Sequence, residues 1–195
     1  MGRVSQAQAR ENRRRVVATA SRMFREKGTA VSVADLMKAV GLTHGGFYKQ
    51  FASKEELVAE AITHAFDDAA AHSALPLDEH ADNEAVRQTL IDQYLSNRHR
   101  DHTGEGCPIS GFAADLEREP EQAARTRDVY IKGVRNRAAQ LAAGDDDGLA
   151  QFCTMVGALT LARATRGDPI SDELLQAART ALTRSDTGLR RNSGG

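Results

Sequence analysis

The sequence is poor in most of what would commit a chain to a β-rich, secreted or membrane-embedded protein. In 195 residues it has no Trp, two Cys, four Pro and 5% aromatic residues. The period-two alternation of half-buried strands is missing, which argues against a sandwich or barrel. Cys107 and Cys153 lie far apart in no metal-type spacing. Neither a disulfide framework nor a zinc site is indicated, and a reducing compartment suits them. No N-terminal stretch has the shape of a signal peptide, and no run approaches the ~18 apolar residues of a membrane span. A cytoplasmic protein without a membrane partner is expected.

Enzyme signatures are equally scarce. There is no phosphate loop, no dinucleotide fingerprint and no Gly-x-Ser-x-Gly elbow. Cys107 beside His99 or His102 is a nucleophile–base pairing of a kind that chance supplies in many chains. His99 and His102 stand three apart but lack the third and fourth ligands a metal needs. No catalytic role, cofactor or metal is therefore expected. His64 and His72 read as surface residues.

What is present favours helices. The hydrophobic fraction is 41%, rich in Ala and Leu, and such a mix has high helix propensity. Net charge is −1, but residues 1–56 hold 11 basic and 5 acidic side chains, a surplus of +6, and the rest holds 15 and 22, a deficit of −7. A basic head on an acidic body points to a polyanionic partner for the head; a solvated charged helix around Arg13, Arg14 and Arg15 would give the same count.

Apolar spacing and caps predict about nine helices, an all-α chain. Residues 1–9 read as a loose arm. The first helix runs from Arg10 to Lys27, with Val17, Ala20 and Phe24 on its apolar face and Gly28 as its stop. Ser32 to Asp35 and Ser53 to Glu56 have the form of capping boxes. Between them lie a short helix (Val33, Leu36, Met37, Val40), a turn at Gly41, and a second helix from His44 to Gln50 capped by Thr43. A longer helix follows to about His72. A loop is expected over residues 75–82 and a single helix over 84–102. A break precedes Pro108, Pro120 suits a first helical turn, and the carboxylates of a turn over 144–147 suit a helix N-terminus. Residues 149–166 are apolar nearly all round, which predicts a buried helix with Cys153 inside it. A last helix runs from Ser171 to about Arg184.

The informative stretch is Ser32 to Phe51, with the shape of a helix-turn-helix whose second helix enters the major groove. That helix carries Gly45 and Gly46 together, each costing about 1 kcal/mol of helix propensity relative to Ala. Such a pair makes sense where backbone must approach another surface closely. His44, Tyr48, Lys49 and Gln50 beside it can all hydrogen-bond phosphates or base edges.

The run from Val33 to Phe51, with Ser53-Lys54-Glu55-Glu56-Leu57 after it, resembles the signature of the TetR/AcrR family of one-component regulators. The likeness is specific over about residues 10–65. It implies core roles for Phe47 and Phe51, phosphate contacts from Tyr48 and Lys54, and a groove-facing set of Thr43, His44, Gly45, Gly46 and Gln50. Gln50 departs from the His common at its position. The resemblance also implies a ligand-sensing, dimerising body after the head.

The expected organisation is a DNA-binding head at 1–55, a regulatory body at 56–184 and a disordered tail at 185–195. The 149–164 helix and the last helix are expected to form a four-helix interface with a second copy. Phe152, Val156, Gly157, Leu161, Leu175 and Leu182 would supply the contact, and the homodimer would read a palindromic operator. Phe66, Tyr94, Phe112, Tyr130 and Met155 are candidate walls of a cavity for a small-molecule effector. Cys107, near the N-cap before Pro108, is a candidate electrophile or redox sensor, because a helix N-terminus favours the thiolate. The expected activity is a dimeric repressor released from its operator by a ligand or electrophile. An architectural DNA-binding protein without an effector is the alternative.

Overall fold

The computed structural model describes residues 6–73, 83–118, 124–142 and 146–189. Among the described residues there are ten α-helices: α1 (Gln6–Lys27), α2 (Val33–Ala39), α3 (His44–Phe47), α4 (Lys54–Ser73), α5 (Asn83–Tyr94), α6 (Asn97–Asp101), α7 (Pro108–Arg118), α8 (Ala124–Ala139), α9 (Leu149–Ala164) and α10 (Ile170–Leu189). A 3-10 turn at Thr103–Glu105 precedes α7. The all-α expectation holds.

The local signals account for several helix ends. Ser32 Oγ accepts from the Asp35 amide at 3.1 Å and donates to its carboxylate at 2.7 Å. In the second box Ser53 Oγ accepts from the Glu56 amide, while the Glu56 carboxylate reaches back one residue further than expected, to the Ala52 amide. Asp146 and Asp147 accept from the amides of Gly148 and Leu149 at 2.8 and 3.0 Å, so these two carboxylates serve the N-terminus of α9. Gly148, the next residue, has φ +74°, and a Cβ there would strike the Ala138 carbonyl.

Several boundaries differ from the sequence reading. α1 starts at Gln6, so 6–9 are helical and not an arm. The expected 84–102 helix is broken after Tyr94, because the Ser96 side chain takes the His99 amide as an N-cap and starts α6. α10 runs on to Leu189. The 75–82 loop, Pro120, Gly144 and Asp145, and residues 190–195 lie outside the described residues.

Packing gathers the described residues into two compact units, those within 1–71 and 103–133 and those within 72–102 and 134–195. In the first, Phe24, Leu36, Met37, Phe47, Phe51, Leu57, Ile62 and Phe112 form one buried cluster. α2 and α3 contribute few residues to it, so the helix-turn-helix is held by α1 and α4 more than by its own helices. In the second, α9 packs on α10, with Phe152, Met155, Leu159, Leu175 and Leu182 buried. Arginines tie α6 to this pair. Arg100 donates to Ser171 Oγ at 2.9 Å and to Asp172 at 2.6 Å, and Arg163 donates to the His99 carbonyl at 2.9 Å.

Candidate DNA-binding site

The helix-turn-helix is assembled from its caps and its buried rings. Gly41, at φ +73°, turns the chain after α2, and the Leu42 amide closes on the Met37 carbonyl at 2.8 Å. Thr43 occupies the N-cap of α3 without a side-chain cap bond. Regular α-helix covers only His44–Phe47, shorter than the expected 44–50, and two adjacent glycines give the physical reason. α3 is fixed instead by Phe47, 0% exposed, and Phe51, 2% exposed, whose rings stack at 5.3 Å.

With those rings turned in, the opposite side is polar and open. Thr43, His44, Gly45, Tyr48 and Lys49 are exposed, and Gly46, Gln50 and Lys54 half-buried. Tyr48 is 64% exposed, its ring edge-on to His44 at 5.6 Å. A Cβ on Gly45 would meet nothing within 4 Å; on Gly46 it would lie 3.6 Å from Met37 Cε. Gly45 is thus the glycine with open space before it. Gln50 folds back toward the Gly46 carbonyl at 3.4 Å, a long bond that leaves its amide near its own helix. Lys54 opens α4.

The sequence reading missed a clamp on this head. The Arg13 guanidinium lies 4.2 Å over the Phe51 ring and bonds to Glu56 at 3.0 Å and to Glu60. Glu56 and Glu60 are one helical turn apart, the only hint in the sequence that they act together. The Ala52 amide and Arg13 hold the Glu56 carboxyl below the usual range. Arg15 donates to the Val40 carbonyl at 2.9 Å, at the C-terminus of α2. Arg14, by contrast, pairs with Glu11 on its own helix at 3.8 Å, with its side chain 80% exposed. The +6 surplus therefore overstates the charge available to a partner.

The remaining predicted residues fall in both units. Phe66, Phe112 and Tyr130 belong to the first, with Phe112 fully buried and the Phe66 and Tyr130 rings 6.3 Å apart. Tyr130 donates to the Ile109 carbonyl at 2.9 Å, and burial pushes its hydroxyl up to about 12. Tyr94 and Met155 are buried in the second unit. A shallow open depression of about 700 Å³ along α10 is lined by Asp172, Glu173, Gln176, Ala177, Thr180 and Ala181, and by none of these five.

The two cysteines reverse the expected contrast. Cys107 is buried and Cys153 exposed. The reason is that α9 buries only one side: Leu149, Cys153, Gly157 and Leu161 all lie open, at a spacing of four. Of the residues expected at a subunit contact, Gly157 and Leu161 are exposed and Val156 half-buried. Phe152, Leu175 and Leu182 are instead internal packing between α9 and α10. Among the described residues no cluster of three or more His, Cys, Asp or Glu is arranged for a metal, and no helix is long and apolar enough to cross a membrane.

A two-helix turn with an open polar second helix, set on a larger helical body, defines a helix-turn-helix transcription regulator fold. Residues 16–61 match the family model of bacterial regulatory proteins, tetR family. Solved structures share the fold across nearly the whole chain. Escherichia coli NemR in its reduced form is 18% identical with a TM-score of 0.75, over 89% of this chain and 96% of that one. A TetR transcriptional regulator from Chloroflexus aurantiacus is 24% identical with a TM-score of 0.68, over 93% and 97%. A putative regulator from Saccharomonospora viridis in complex with choline is 18% identical with a TM-score of 0.60, over 90% and 95%. The comparison with curated protein sequences found no match. Over residues 16–61 the chain is thus similar to the tetR family of bacterial regulatory proteins, and over most of its length it shares the fold of these solved regulators.

Proposed function

We propose that the protein is a homodimeric repressor that leaves its operator when a small molecule or an electrophile acts on its body. The observation that carries this reading is the open polar side of α3, with Thr43, His44, Tyr48 and Lys49 exposed over a closed aromatic core. In this reading residues 1–55 are the head and the regulatory body runs from 56 through α10, in a cytoplasmic protein. Thr43, His44, Gly45, Gly46, Lys49 and Gln50 face the major groove. Tyr48 and Lys54 bind phosphates, which set position and not sequence.

The open stripe Leu149, Cys153, Gly157 and Leu161 on α9 supports pairing with a second copy, because a run of uncovered apolar side chains favours association. A dimer would read a palindrome with half-sites about one helical turn apart or more. The effector favours a state whose head spacing no longer fits, so it must bind that state more tightly. Phe66, Phe112 and Tyr130 in the first unit, or Tyr94 and Met155 in the second, remain the proposed effector contacts, and the choline complex of the Saccharomonospora viridis regulator supports a small-molecule ligand at the level of class. Cys107 is the proposed electrophile-sensing residue; being buried, it reacts only when the 103–107 turn opens.

The test is selection. The full-length protein is mixed with a random duplex library, and bound DNA is sequenced through successive rounds. A palindromic consensus supports the reading; no enrichment, or a single non-repeated site bound by a monomer, overturns it.

A further inference from the structure

We infer that Asp115, on α7 of the body, is a positioning residue for the helix-turn-helix. The observation is a contact between the regulatory segment and the turn that launches α2. α1 ends at Gly28, whose φ of +80° reverses the chain. Five residues on, α2 begins at Val33. The first amide after the reversal, that of Thr29, donates to Asp115 Oδ2 at 2.9 Å. A Cβ on Gly28 would lie 3.3 Å from each Asp115 carboxylate oxygen, so the carboxylate is laid flat against the glycine backbone.

The rest of the α1–α7 seam fixes where that carboxylate comes from. The buried Arg25 guanidinium donates to the Gly106 carbonyl at 2.9 Å. A Cβ on Gly111 would stand 3.0 Å from Arg25 Cγ, and one on Gly104 would collide with Arg22 and Glu26. Thus the last turns of α1 lie along residues 104–111, and Asp115 reaches one turn further, past the end of α1. There it accepts from the Thr29 amide, just beyond the helix stop.

A carboxylate at a helix C-terminus faces the negative end of the dipole and is disfavoured there on electrostatic grounds alone. The bond to Thr29 offsets this. A charge-assisted bond from a backbone amide is also short and directional. It sets the Gly28–Thr29 turn, and the turn sets the angle at which α2, and α3 behind it, leaves α1. A shift of α7 along α1 would pull on this turn, so α7 carries the state of the body to the recognition helix through one acceptor atom.

This inference rests on the DNA-binding reading, and its test separates the two. The probe is the duplex that the full-length wild type enriches from the random library, alongside an unrelated duplex. Asp115→Ala removes the acceptor. Its affinity for the enriched duplex is expected to fall on the order of tenfold to a hundredfold, with an unchanged salt slope because no phosphate contact is lost. The Thr29 amide should exchange with solvent faster. Asp115→Asn keeps an oxygen at the same reach and should restore affinity to within about threefold. Should Asp115→Ala fail to fold, Asp115→Glu replaces it: the carboxylate is pushed out by one methylene, and weaker binding with a protected Thr29 amide is expected. Wild-type affinity in folded Asp115→Ala or Asp115→Glu overturns the inference, as does an Asp115→Asn protein no better than Asp115→Ala. If the wild type enriches no duplex at all, the DNA-binding reading falls and this inference falls with it.

Discussion

α3 and α9 are both left incomplete by their own protomer, in opposite ways. α3 has a short helical span, two glycines, and an outer side of hydroxyl, imidazole, phenol and ammonium groups. Water satisfies those groups at little cost, so the helix can wait for a polyanion. α9 is sixteen residues long and carries Leu149, Cys153, Gly157 and Leu161 open on one side. Water does not satisfy these, and covering them is favourable at about 25 cal/mol per Å² of apolar surface removed from water. The first surface is therefore suited to reversible, salt-sensitive recognition and the second to lasting association. The proposed repressor, leaving DNA while remaining assembled, would use both kinds.

The sharpest way to break this contrast is at the ring that holds α3. Phe47→Ala empties a fully buried site and should cost about 3–5 kcal/mol. DNA binding should disappear while sedimentation still reports a dimer, since α9 and α10 lie in the other unit. Loss of both at once would show that the two surfaces are not separable.

The complementary change is Gly157→Arg. A Cβ there meets nothing within 4 Å in the protomer, so the chain should fold. In a packed subunit contact an unpaired charge costs several kcal/mol, enough to weaken the dimer by about a hundredfold or more. A dimer that persists unchanged at micromolar concentration would assign association to another surface.

Acid should also separate the regions. His99 is pushed down to about 4 from its usual 6.5, chiefly by burial, with Arg163 and Arg137 adding to it against the bond to the Tyr94 carbonyl. The folded state thus holds the neutral ring while the unfolded chain takes up a proton below pH 6.5. Stability from this residue is complete above that pH, declines as pH falls toward about 4, and is gone below it, an effect on the order of 3 kcal/mol in all and about 2 kcal/mol between pH 7 and pH 5. Denaturant unfolding at pH 7 and pH 5 should show the loss, and His99→Gln should flatten it; an equally steep dependence in His99→Gln would place the titration elsewhere.

A smaller effect is expected at Lys54. Lys54→Ala should weaken binding to every duplex alike and make the log–log salt slope shallower by about one. An unchanged slope removes its phosphate role. The smallest effect tests α3 itself. Because Thr43 makes no side-chain cap bond, Thr43→Ala should change stability by less than about 0.5 kcal/mol, below the usual cost of losing a cap. It should still alter the sequences selected from the library. A full-sized stability loss would mean the hydroxyl caps α3 in solution.

Much of the head was legible because its signals are local. Gly28 and Gly41 stop helices where their positive φ is needed, and Ser32 and Ser53 cap within three residues. Phe47 and Phe51, placed in the core by family likeness, are buried. The Arg13 clamp and the Asp115 contact were not legible, since their partners lie 43 and 86 residues away. Periodicity also failed on α9. Its apolar residues surround the axis, so the pattern could not say which side the protomer covers, and Cys153 was placed inside when it is outside.

By itself, then, the sequence determined an all-α chain, the position of the helix-turn-helix and the polar character of its second helix. These follow from spacing, caps and residue chemistry within a few turns of backbone. Tertiary structure alone decided which charges remain open to a partner. Arg13 and Arg15 are engaged with α4 and α2, while Arg14, between them, pairs with Glu11 on its own helix and stays 80% exposed. Three identical side chains in a row differ only in the direction the helix points them and in what chain returns to meet them, and that return is a long-range event no local pattern encodes.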